Sequence, residues 1–295
     1  MKITALPTLP PRAPESHKGD FGRVLIVAGS TGMSGAAVLC GLGALRTGAG
    51  LVQVAAPAPV QPLVAQAQPC FMTAPLPARS DGQISAAAIK PILKLAEWAD
   101  VIAMGPGLGS GRDIVLVVLG LLQHLHKPLV LDADGLNALA KILAVERRLP
   151  RADVMAAAAP LICTPHLGEF TRLIGRVCRG EELVTEANRF AREQQAVLVV
   201  KGHRTLITDG EHIVRNETGN PGMATGGSGD VLTGVIAALV GQKLDALSAA
   251  ILGVHLHGLA GDLAAQAIGP VGLIASDLAD FLPRALSQSP ADATR

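Results

Sequence analysis

The feature that most constrains this chain is a series of short apolar runs, each closing on a small or polar residue and most followed by a stretch with helical periodicity. RVLIVAGS (23–30), LVQVAAP (51–57), DVIAMG (100–105), KPLVLDADG (127–135), PLICT (160–164) and AVLVVKG (196–202) are apolar at successive positions, not at alternate ones. Strands with that pattern are covered on both faces, which means a parallel sheet between two layers of helices. The intervening helices are expected at 34–47, 85–98, 113–124, 136–145, after Pro165, and at 181–195, 230–240, 245–267 and 276–286. TLITDGEHIVR (205–215) reads as a hairpin turning at Asp209-Gly210. The proline-rich region from 58 to about 77 is given no element, and a loop is expected near Pro150. The fold class is therefore α/β: a three-layer α/β/α architecture with a mostly parallel central sheet. No linker or repeat divides the chain. Residues 17–290 are read as one domain behind a loose, proline-rich leader of residues 1–16.

Composition narrows the partners. Apolar residues make up 49% of the 295 positions and charged ones 17%, which supports a large core and excludes general disorder. The formal net charge is +1, with no basic run and few aromatics, so neither a nucleic-acid footprint nor a base-stacking platform is expected. Cys40, Cys70, Cys163 and Cys178 are scattered without a C-x-x-C, which fits neither a zinc site nor a disulfide framework and points to a reducing compartment. The N-terminus lacks the continuous apolar segment of a signal peptide. No run of about 18 apolar residues is found to span a membrane. A soluble, cytoplasmic protein is the expectation.

In open α/β sheets, ligands bind beyond the carboxyl ends of the strands. Four such ends carry unusual residues: AGSTGMSGA, GPGLGSG, DADGLN and TPHLGE. A fifth motif, GNPGMATGGSGD (219–230), places five glycines before Asp230 at a helix entrance. Successive amides there, with the helix dipole, make a site for an anion. Neither a Walker P-loop nor a dinucleotide fingerprint is present, because no G-K-[ST] follows a glycine run and Gly29, Gly32 and Gly35 have the wrong spacing. Asp230 fits both a helix cap and a base, and a helix terminus would favour its ionised form. His166 and Glu169, at i and i+3, share a face at a helix start but lack the further ligands zinc needs. Asp132 and Asp134 suit Mg2+ or a substrate hydroxyl, or simply turn and cap chemistry. Lys201 suits a phosphate or a solvated edge. His255, His257 and Trp98 read as core or interface residues.

Taken together, HKGDFGRVLIVAGSTGMSGAA, AMGPGLGSG, VLDADGLNAL, TPHLGEFTRL, VVKGHRT, GNPGMATGGSGDVLTGVIAAL and HLHGLAGDLAA resemble the ADP-dependent NAD(P)H-hydrate dehydratases of the ribokinase-like superfamily, in order, over about residues 17–286. TPHLGE is also similar to the N-x-x-E element of related vitamin kinases, with His166 in place of their Asn. That substitution favours the dehydratases over an ATP-dependent vitamin or sugar kinase, the alternative reading. The resemblance implies a substrate, NADH or NADPH hydrated on the nicotinamide ring (NADHX, NADPHX, S epimer), and ADP as co-substrate, with ATP used by some relatives. It implies phosphorylation of the ring hydroxyl, then elimination, giving AMP and phosphate. Asp230 would be the base. Ala36, Gly107, His166 and Asp230 would face the hydrated dinucleotide. Lys201, Gly202, His203, Arg204, Thr205 and Gly229 would contact the adenine nucleotide, and Gly226, Gly227, Ser228 and Gly229 would wrap the phosphoryl group. Asp132 and Glu169 are the candidates for organising Mg2+. A separate epimerase would supply the S form, since 295 residues are too few to include that domain. A homo-oligomer, a tetramer by family habit, is expected.

Overall fold

The computed structural model describes residues 6–146, 149 and 159–288. The loop expected near Pro150 lies outside these residues, as do leader positions 1–5 and residues 289–290. Among the described residues, nine strands form one sheet: β1 (Arg23–Val27), β2 (Leu51–Pro57), β3 (Met72–Leu76), β4 (Val101–Met104), β5 (Leu129–Leu131), β6 (Leu161–Cys163), β7 (Ala196–Val200), β8 (Leu206–Thr208) and β9 (Ile213–Arg215). Their order is β3-β2-β1-β4-β5-β6-β7-β8-β9. All pairs are parallel except β7–β8 and β8–β9. The expected hairpin is β8–β9, with a four-residue connection, 209–212, in place of a tight two-residue turn.

The helices are α1 (Ser34–Arg46), α2 (Gln61–Ala67), α3 (Ile89–Trp98), α4 (Arg112–His124), α5 (Ala133–Glu146), α6 (Leu167–Ile174), α7 (Gly180–Gln194), α8 (Ser228–Gly241), α9 (Ala246–Ile268) and α10 (Ala275–Gln288). Alternate residues of each strand feed two cores. Val24, Ile26, Val52, Val54, Val101, Ala103, Val197 and Val199 pack with α1, α8, α9 and α10. Leu25, Val27, Ile102, Met104, Leu129, Leu131, Leu198 and Val200 pack with α3, α4, α5, α6 and α7. The three-layer expectation is met, and the unbroken apolar runs are its cause.

Three expectations are corrected. The region from 58 to 77 is not structureless: it holds α2 and edge strand β3. Pro62 sits in the first turn of α2, where its missing N–H removes no helix bond. Pro75 is tolerated because β3 is an edge. The leader is not loose from Leu6 onward. Leu6 and Leu9 pack on the core. The Arg12 guanidinium donates to the Gly48 carbonyl at 2.7 Å and to Gln242 Oε1 at 3.1 Å, and lies 3.9 Å from the Phe21 ring centre. Finally, α9 is by length and composition apolar enough to cross a membrane, which the sequence reading did not find. Two thirds (67%) of its most apolar window is buried inside the protein.

One contact fixes the layer beneath the site. α8 buries every residue from Val231 to Gly241. It meets α1 backbone to backbone: a Cβ on Gly43 would overlap the Val231 carbonyl, and one on Gly234 would overlap that of Cys40.

Candidate active site

β1 leads outward to β2 and β3, and the chain then returns to β4 on the other side of β1. The strand ends of β1 and β4 therefore flank a crevice, the usual ligand position in such sheets. Its walls are tied together. Gly29 N–H donates to the Pro106 carbonyl at 2.8 Å, and the Ser30 hydroxyl to that of Gly107 at 2.8 Å. Gly107 has φ +61°, and a Cβ there would lie 2.9 Å from that of Ala36 and 3.0 Å from that of Met33. The structure thus brings Ala36 and Gly107 together at the switch point, with space for neither to be larger.

Further along the same edge, Asp132 closes β5. Its carboxylate is buried and doubly held, by Lys201 Nζ at 2.6 Å and the Thr233 hydroxyl at 2.7 Å. Lys201 is accordingly no solvated edge charge; its side chain is 19% exposed and paired. Thr233 lies in the second turn of α8, so this triplet joins the ends of β5 and β7 to α8 just below its first turn.

α8 starts where Gly227 adopts φ +90°, a left-handed value that suits glycine. A Cβ there would also collide with Leu39 of α1. The amides of Gly229 and Asp230 fall in the first turn, beyond the reach of any intrahelical carbonyl. The first intrahelical bond runs from Val231 N–H to the Gly227 carbonyl at 3.2 Å. A Cβ on Gly229 would stand 3.0 Å from Lys201 Nζ, whereas one on Gly226 would meet open space. Asp230, in this turn, has its pKa pushed up to about 7. Burial is the largest cause and the Asp132 carboxylate the next; Lys201 opposes them, and Asp134 and Glu169 add smaller pushes. The ionised form that a helix terminus favours is outweighed here by burial and neighbouring carboxylates.

His166 and Glu169 form a capping box on α6. His166 Nδ1 accepts from Gly168 N–H at 3.0 Å and Glu169 N–H at 3.3 Å, while Glu169 accepts from His166 N–H at 2.8 Å. The imidazole stays 54% exposed at the strand edge, and His166 bridges to Lys201 in a parallel pairing. Residues 202–205 make the exposed β7–β8 turn. The Thr205 hydroxyl donates to the Gly202 carbonyl at 3.0 Å, Arg204 pairs with Glu217 at 2.8 Å, and His203 is exposed. Their side-chain bonds stay within or beside the turn and do not join them to the α8 loop.

The expected Mg2+ pair does not fit a resident ion. Both Asp132 oxygens already accept from Lys201 and Thr233, and Glu169 is buried and committed to its cap. No group of three metal-binding side chains occurs among the described residues. Asp134 caps the neighbouring loop, accepting from Gly109 N–H at 2.8 Å. One participant escaped sequence reading. His257, assigned there to core or interface, lies on α9 with Nε2 3.0 Å from the Ser228 carbonyl. Its signal is lost in an apolar helix 29 residues away.

A family model described as NAD(P)H-hydrate dehydratase matches residues 24–284. A bifunctional NAD(P)H-hydrate repair enzyme of Moorella thermoacetica is 46% identical over 282 residues, 94% of this chain but 52% of that protein. The chain therefore spans about half the length of the curated relatives it matches. Among solved structures, an ADP/ATP-dependent NAD(P)H-hydrate dehydratase from Bacillus subtilis, co-crystallised with ATP and Mg2+, superposes with a TM-score of 0.77. It is 33% identical, covering 95% of this chain and 94% of that one. A ribokinase-like superfamily protein from Enterococcus faecalis gives a TM-score of 0.78 at 26% identity, covering 95% and 92%. The fold is ribokinase-like.

Proposed function

Because this chain belongs to the NAD(P)H-hydrate dehydratase family, we propose that it regenerates NADH and NADPH from their S-epimer hydrates, with ADP as phosphoryl donor. The ring hydroxyl attacks the terminal phosphorus of ADP, Asp230 accepts the hydroxyl proton, and AMP leaves. The ring nitrogen's lone pair then expels phosphate. Loss of a proton from the neighbouring carbon restores the double bond. Phosphorylation is needed because hydroxide is a poor leaving group and phosphate a good one.

The observation that carries the proposal is the meeting of two features in one turn. Gly229 and Asp230 offer amides to a phosphoryl group whose transfer depends on positioning and charge stabilisation. Asp230 also offers a carboxylate whose pKa of about 7 suits proton acceptance near neutral pH. Ala36 and Gly107, packed too closely for a larger residue at 107, bring the loop backbone near a broad ring, and His166 supplies an exposed polar contact. Lys201, under Gly229, adds positive charge below the same turn. Mg2+ accompanies the nucleotide, held by phosphate oxygens and water, as this ion favours; the ATP and Mg2+ in the Bacillus subtilis crystal support that reading. An epimerase activity supplies the S form.

The test is an incubation with hydrated NADH and either ADP or ATP, following the absorbance of reduced nicotinamide. Absorbance should recover with stoichiometric AMP when ADP is the donor. A stable phosphorylated alcohol with no recovery would instead favour the small-molecule kinase reading. With both epimers present, recovery should stop at the S share until an epimerase is added.

A further inference from the structure

Carbonyl and amide across one peptide bond share a plane. The Ser228 carbonyl and the Gly229 N–H are such a pair, so whatever grips the carbonyl aims the amide. Two side chains grip this turn from its carbonyl side. His257 Nε2 is 3.0 Å from the Ser228 carbonyl and 3.5 Å from the Ser228 hydroxyl. The Thr233 hydroxyl is 3.1 Å from the Gly229 carbonyl. His257 is buried, at 7% exposure, and it comes from α9, whose Asp262 also holds the start of the glycine-rich segment by accepting from Gly219 N–H at 2.8 Å and Asn220 Nδ2 at 3.0 Å. A buried imidazole that meets no carboxylate within the turn is best left neutral, and burial does hold its pKa down to about 4. Facing a carbonyl, Nε2 must be the protonated nitrogen.

We propose that His257 is a positioning residue: by donating Nε2–H to the Ser228 carbonyl, it fixes the Ser228–Gly229 peptide plane and points the Gly229 amide at the migrating phosphoryl group. This rests on the ADP-dependent reading above. The brace acts on the terminal phosphoryl and not on the adenosine part, so it separates ADP from AMP.

The experiment measures ADP and AMP affinity by calorimetry, and kcat and KM by turnover, for the full chain with His257, His257→Leu and His257→Gln. Leu keeps bulk and loses the donor; Gln presents an amide N–H near the Nε2 position. His257→Leu should cut the preference for ADP over AMP by about fivefold or more, the worth of one well-placed hydrogen bond. AMP affinity should hold. The value of kcat should fall by about tenfold or more while KM for the hydrated dinucleotide stays level, as for a contact strengthened in the transition state. His257→Gln should recover most of both. If His257→Leu does not fold, His257→Asn replaces it, because its amide satisfies the interior but falls short of the carbonyl. A wild-type ADP preference and kcat in the donor-less variant would overturn the inference. So would equal weakening of ADP and AMP, or a Gln variant as impaired as Leu. A wild-type protein that does not prefer ADP to AMP fails earlier, at the proposed function, and takes the brace with it.

Discussion

At the scale of residues, the proposed chemistry concentrates on Asp230. Its folded pKa of about 7 lies above the ordinary 3.8, so the carboxylate is largely protonated below pH 7 and cannot take a proton. The proposed reaction should therefore lose kcat/KM as pH falls through about 7, in a profile measured with saturating nucleotide. Asp132→Asn removes one of the charges that raise Asp230, so that acid limb should move to lower pH. Asp230→Asn should lower kcat by about a hundredfold or more, with ADP binding retained in calorimetry. The same shift has a stability sign. A raised carboxylate pKa means that the folded state binds more protons between pH 3.8 and about 7, so stability is lost as pH rises through that window. Asp230→Asn should raise the melting temperature by several degrees at pH 8 and leave it unchanged at pH 3.5. Sequence reading located Asp230 and Lys201 because strand ends and helix starts are legible from pattern. It left Asp132 open between Mg2+, a substrate hydroxyl and a turn, because the partners that hold it, Lys201 and Thr233, are 69 and 101 positions away, and spacing in the chain carries no trace of such pairings.

At the scale of elements, the unbroken apolar runs announced β1, β2, β4, β5, β6 and β7, and glycine or proline marked most helix entrances. α2 and β3 were missed because Pro62 and Pro75 sit at the positions where proline is tolerated, a first helical turn and a sheet edge. His257 was missed for the opposite reason: α9 is apolar nearly all round, so periodicity does not single out the face that reaches Ser228. The glycines divide into those that serve packing and those that serve the loop. Gly234→Val should destabilise by about 3 kcal/mol or prevent folding, since its Cβ overlaps the Cys40 carbonyl and overpacking a tight core costs that much. Gly226→Ala meets open space and should leave stability within about 0.5 kcal/mol. Urea melts of the two variants check both expectations.

At the scale of the whole molecule, the strand order carries the site. Only a chain that reverses direction between β1 and β4 leaves a crevice there, and that order was not legible, because apolar runs say which segments are strands and not which are neighbours. The leader adds a long-range tie. Arg12 reaches residues 36 and 230 positions away. Arg12→Ala should lower stability by about 1 kcal/mol, given the partial exposure of those bonds, read as a fall of a few degrees in melting temperature. The glycine seam between α1 and α8 reaches furthest. Ala36 lies in the first turn of one helix and Asp230 in the first turn of the other, and the two backbones meet at Cys40 to Gly43 and Val231 to Gly234 with no side-chain layer in between to act as a cushion. In the proposed function, the acceptor's cradle and the donor's cradle are thus two faces of a single anvil. On the proposed reaction, the gap between hydroxyl and phosphorus is set before either substrate arrives, and catalysis asks the ligands to adapt to the protein, not the protein to close upon the ligands.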